Sequence, residues 1–124
     1  MAVRIAILAQ DLIWSDRLVR ATRDAGAEPV PSATASGFDR ALTDCPLAIV
    51  DLTAHAYDPL AAIERARAAG SRVLAVGQHD DVDQRKRAMA RGAERVFAYR
   101  KLFEAGPATI AAWIEGGRPI VASS

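Results

Sequence analysis

Short apolar runs alternate with longer amphipathic stretches along almost the whole chain, from Val3 to Ile114. Residues 3–8, 47–50, 72–76 and 96–99 are runs of four to six positions rich in Val, Ile, Leu and Ala, the character of strands buried on both faces of a parallel sheet. Between them the spacing changes to that of helices. Residues from about 15 to 25 place Leu18, Val19, Thr22 and Ala25 on one face, and Gly26 stops the pattern. Asp58 and Pro59 supply an N-cap and a first helical residue for a helix that Gly70 ends. Asp80 or Asp81 opens another helix that runs to Arg91 before Gly92, and Gly106-Pro107 opens a last one through Ile110, Trp113 and Ile114.

Residues 27–33 also read as extended, but Pro29 and Pro31 lack amide donors, so this strand belongs at a sheet edge. A short helix at about 37–43 then leads through Pro46 into the strand that ends at Asp51. Five βα units with short connections imply right-handed crossovers and a three-layer α/β sandwich with a doubly wound parallel sheet. The expected organisation is one domain over residues 1–115 and a C-terminal tail over 116–124.

The composition adds exclusions. At 124 residues a single core can form without metal or disulfide help. Sixteen basic against fifteen acidic residues leave a formal charge of +1, so bulk charge draws the chain neither to nucleic acid nor to an anionic membrane. Cys45 stands alone, and no apolar run approaches the roughly 20 residues that span a bilayer. The cytoplasm is the expected compartment.

Candidate chemistry begins with Asp51, because ligands in open α/β sheets gather outside the carboxyl ends of the strands. Its bland use is to accept hydrogen bonds from the following loop; the alternatives are contact with a partner or ligand, or phosphorylation. His55 and His79 follow strands three and four on the same side of the sheet, but lack the third ligand or helical spacing of a metal site. Asp80, Asp81 and Asp83 suit the dipole at a helix start. Gly77-Gln78-His79 and Ala9-Gln10-Asp11-Leu12 do not make a phosphate-cradling loop. Arg85, Lys86, Arg87 and Arg91 form a basic helical face with no interleaved aromatic, which speaks for solvation over nucleic acid. Trp113 has core spacing, whereas Trp14 stands where it covers a pocket or a partner surface.

Five βα units in this length, an aspartate closing strand three, and the sequence Arg-Gly-Ala-Glu-Arg-Val-Phe-Ala-Tyr leading through strand five resemble a response-regulator receiver domain. The resemblance covers nearly the whole chain. It implies the flavodoxin-like, CheY-like (βα)5 fold with strand order 2-1-3-4-5 and makes Asp51 the phospho-acceptor position. It also implies an acidic pair for Mg²⁺ after strand one, a hydroxyl after strand four and a lysine after strand five. Those positions fall on Ala9 and Gln10, on Gly77, and on Tyr99 followed by Arg100 and Lys101. Asp11 is one residue late, and Mg²⁺ enters only if Asp11 replaces the acidic pair.

The chain therefore resembles a degenerate, pseudo-receiver variant. The expectation is a non-enzymatic signalling module that binds no metal or cofactor and docks a protein partner or a second copy through its fourth helix, fifth strand and fifth helix. Arg87, Arg91, Tyr99 and Lys101 are the expected anchors of that surface. The alternatives are a receiver still phosphorylated at Asp51, and a small ligand-binding or enzymatic α/β domain using the loops near Asp51.

Overall fold

A computed structural model describes residues 2–78 and 80–116. Its elements are β1 (Arg4–Leu8), α1 (Leu12–Asp24), β2 (Glu28–Ser32), α2 (Ala35–Leu42), β3 (Leu47–Asp51), α3 (Pro59–Ala68), β4 (Arg72–Gly77), α4 (Val82–Arg91), β5 (Arg95–Ala98) and α5 (Tyr99–Gly116). The five strands form one parallel sheet in the order β2-β1-β3-β4-β5, as the resemblance implied. The two-proline strand lies at its edge. The amide of Glu28 donates to Val3 O at 2.8 Å, so β2 turns Glu28 toward β1 and sends the donorless nitrogens of Pro29 and Pro31 outward.

Alternation along each strand sorts the core into two layers. Ile5, Ile7, Leu47, Ile49, Leu74 and Val76 pack against Leu18 of α1 and Leu102, Ile110 and Trp113 of α5. The opposite face uses smaller residues, among them Ala6, Ala48 and Ala75, and receives Phe38 of α2, Ile63 of α3 and Ala88 of α4. The small side chains let three helices fit over a face whose reverse holds two.

Several element boundaries differ from those the sequence suggests. Helix α1 starts at Leu12, before the expected Ser15, because the Asp11 carboxylate accepts from the amides of Ile13 and Trp14 and nucleates the turn early. Thr34 similarly starts α2 at Ala35 through the Gly37 amide. Of the two candidate caps for α4, Asp81 takes the role, accepting from the Gln84 amide. The last helix begins already at Tyr99, so the strand before it ends at Ala98. The Gly106-Pro107 step expected to start that helix instead follows a break inside it, at Ala105. Gly106 also lets α1 come close, since a Cβ there would lie 3.1 Å from the Ala21 Cβ. Residues 117–124, nearly all of the expected tail, lie outside the described residues, as does His79. No helix among the described residues is long and apolar enough to cross a membrane.

Candidate functional site

Asp51 closes β3 at the carboxyl end of the sheet and is only 1% exposed. Its Oδ1 accepts from the Thr53 amide at 2.9 Å and the Thr53 hydroxyl at 2.8 Å, a local turn built by a residue two positions on. Across the sheet, the phenol of Tyr99 donates to the same Oδ1. The Thr53 and Tyr99 hydroxyls lie 2.8 Å apart, so three oxygens form a closed triangle of hydrogen-bonding contacts that meets at Asp51 Oδ1. Asp51 Oδ2 is buried and has no hydrogen-bond partner.

The first helical residue of α5 is thus a buried tyrosine turned inward. Desolvation raises its phenol pKa far above the ordinary tyrosine value, and its hydrogen bond to Asp51 pushes the same way. Tyr99 therefore remains a proton donor. Trp14 of α1 stacks on it, with centroids 3.8 Å apart and planes at 29°, and covers it from the solvent side. The Arg17 guanidinium lies 5.4 Å from the Trp14 ring centre and 4.5 Å from that of Phe103, extending the stack outward.

A second phenol holds the backbone beneath the carboxylate. Tyr57 is buried and donates to Asp51 O at 2.9 Å, with Leu8 O at 3.2 Å. Burial raises its pKa strongly, and the Asp51 charge adds to the effect. From α4, Gln84 Nε2 donates to Leu52 O at 2.6 Å. The turn after β3 is thereby fastened from several directions.

The other positions singled out by resemblance point elsewhere. Ala9 is buried and apolar. Gln10 Oε1 accepts from the amides of His55 at 2.8 Å and Ala56 at 3.0 Å, so it organises the β3–α3 loop. Asp11 is committed to capping α1. At Gly77, an added Cβ would lie 3.3 Å from Leu52 Cδ1 and 3.4 Å from its Cβ, which leaves little room for a hydroxyl-bearing side chain unless Leu52 gives way. Arg100 pairs with Glu104 one turn along at 3.2 Å, and the Lys101 ammonium sits 5.7 Å over Phe97. His55 is exposed.

These groups do not fit Mg²⁺. A magnesium site of this kind draws on one or two carboxylates together with waters and phosphate oxygens, and here Asp51 Oδ1 holds two hydroxyls while the Asp11 carboxylate serves a helix. Among the described residues no group of three His, Cys, Asp or Glu side chains is placed to hold a metal ion.

The expected docking anchors divide. Arg87 and Lys101 are exposed, Arg91 is held by Glu64 of α3 at 2.9 Å, and Tyr99 is largely buried with its hydroxyl turned into the aspartate site. Thr53 could have been recognised as a partner of Asp51, since a hydroxyl two residues after an aspartate is an ordinary turn arrangement. Nothing local in the sequence marks Tyr57 or Gln84, whose roles depend on distant segments.

Comparison with solved structures assigns the fold. The chain matches the beryllofluoride-activated receiver domain of DrrB with a TM-score of 0.81, over 93% of this chain and 99% of that one, at 13% identity. It matches a CheY-like response-regulator receiver domain from Methanospirillum hungatei with a TM-score of 0.73, over 94% and 100% of the two chains, at 18% identity. A protein described as pilus assembly-related, from Burkholderia pseudomallei, gives 0.73 over 92% and 87% at 20% identity. At these identities the likeness is one of fold, and that fold is the receiver fold. No protein-family model and no curated protein sequence matches the chain.

Proposed function

We propose that this chain is a receiver-fold protein-interaction module whose aspartate site is held shut from within. The observation that carries the reading is the Tyr99 phenol on Asp51 Oδ1, at the position where the receiver resemblance implies a lysine. A lysine there would bring positive charge to a developing phosphoryl group. A phenol whose pKa burial raises brings none. With Ala9, Gln10 and Gly77 at the remaining positions, phosphoryl transfer lacks both its metal and its neutralising charge, and Asp51 serves to hold Thr53 and Tyr99. The module is then a non-enzymatic, cytoplasmic docking domain working through a constant surface.

The surface proposed for a protein partner is α4, β5 and α5. Arg85, Lys86, Arg87, Arg95 and Lys101 are exposed there, against Asp83 and Glu94. Beside them lies a hollow of about 730 Å³ lined by Phe97, Ala108 and Trp113 among others. An apolar floor with a basic rim suits an acidic protein partner.

The test is incubation with acetyl phosphate and Mg²⁺, followed by intact-mass measurement. The expected result is an unmodified chain. A gain of one phosphoryl group, mapped to Asp51 and lost in Asp51→Asn, overturns the reading. A second reading, a receiver still phosphorylated at Asp51, draws on the unpartnered Oδ2 and would gain from that result.

A further inference from the structure

Five large apolar residues are exposed among the described ones, and three of them gather beside the Trp14–Tyr99 stack: Leu12 at 81%, Ile13 at 66% and Phe103 at 65%. Leu12 and Ile13 occupy the first turn of α1, and Phe103 the segment of α5 before its break at Ala105. Two hollows meet at Ile13 and Arg17. One, of about 330 Å³, lies between Trp14 and Phe103, and the other, of about 520 Å³, runs along Leu12, Asp16 and Arg20. The face thus carries apolar knobs and hollows side by side. Clustered exposed apolar side chains of this kind mark interaction sites, whereas isolated ones are ordinary.

We propose that this α1–α5 face is where a second copy of the chain binds, forming a two-fold dimer. The charges around the apolar centre select that occupant. Arg17, Arg20 and Arg100 stand against Asp11, Asp16 and Glu104, so the rim is balanced and mixed in sign. Arg20 pairs with Asp16 and Arg100 with Glu104 within the protomer, while Arg17 rests on aromatic rings with no carboxylate in contact. A two-fold contact places the same patch on both sides, so it must be its own complement. A balanced rim meets that condition, and a partner's Asp16 or Glu104 offers Arg17 the anion it lacks. The α4–β5–α5 surface meets it less well, because pairing that surface with itself brings five exposed cations onto five with only Asp83 and Glu94 of each copy to offset them.

The experiment is sedimentation equilibrium of the full chain from micromolar to submillimolar concentration, alongside Ile13→Glu, Phe103→Glu, Arg17→Glu and, as a control, Arg87→Glu. Circular dichroism and thermal melting accompany each, and only variants that melt cooperatively count. The expected result is a monomer–dimer equilibrium in the wild type, weakened at least tenfold by each of the first three changes and unaltered by Arg87→Glu. A wild type that stays monomeric throughout overturns the proposal. So does a dimer that Arg87→Glu disrupts and the α1–α5 changes do not. Because neither outcome depends on Asp51, failure here leaves the closed-site reading standing, and phosphorylation of Asp51 would not affect this one.

Discussion

Trp14 lies flat against Tyr99, ring centre to ring centre at 3.8 Å, while the Tyr99 hydroxyl reaches the opposite way to Asp51. One tyrosine thus joins a surface aromatic cluster to a buried carboxylate.

Removing the hydroxyl tests that link. Tyr99→Phe retains the ring and its stack on Trp14 but takes a donor from a buried carboxylate, which costs about 1–3 kcal/mol of stability. Urea unfolding should show this loss with an unchanged slope. Tyr99→Ala also removes the stack and should cost about 3–5 kcal/mol. Equal stability in wild type and Tyr99→Phe would mean that the phenol–carboxylate contact contributes nothing.

Alkaline pH should weaken the fold. The phenols of Tyr57 and Tyr99 have pKa values raised in the folded state, by burial first, so the folded chain keeps protons that the unfolded chain releases. Their contribution is fully present below the unfolded tyrosine value of about 10 and declines above it, by up to about 1.4 kcal/mol per pH unit for each phenol. Denaturation midpoints measured from neutral to strongly alkaline pH should fall above that point, and fall less steeply in Tyr99→Phe.

Mg²⁺ at low millimolar concentration should leave Trp14 emission unchanged, because Asp11 caps a helix and Asp51 Oδ1 already holds its donors. A saturable change abolished by Asp51→Asn would show that Asp11 had moved to complete a metal site.

Arg72 provides a prediction remote from the site. From the start of β4 it donates to the carbonyls of Trp113 at 2.7 Å and Ile114 at 3.4 Å, and it pairs with Glu94 at 2.9 Å. The last turn of α5 carries no basic residue of its own, so this cation satisfies the end of another element. Arg72→Met should lower stability by about 1–3 kcal/mol and shift Trp113 emission, since the indole also donates to Glu94 at 3.0 Å. Asp51 and Tyr99 should be unaffected.

The strands were legible because burial on both faces leaves continuous apolar runs, and the edge position of β2 because proline cannot donate to a ladder. Helix ends were legible where a cap and a stop stood together, as at Asp58-Pro59 and Gly70. They were misplaced where one side chain shifted the start, as Asp11 did at α1. Gly106-Pro107 marked a break within α5, since a helix can resume after a residue that cannot continue it.

The receiver-like order of elements could be read along the chain, because it depends on residue type and spacing. How the resulting space is filled could not. Tyr99 meets Asp51 across the intervening strand β4, Trp14 stacks on that tyrosine from α1, and Gln84 secures the turn after β3 from α4. Such contacts arise when the five strands stack in the order β2-β1-β3-β4-β5 and bring their carboxyl ends together. A one-dimensional pattern records which side of each element is apolar, while the partner of a polar atom depends on distances that exist only once the layers have packed.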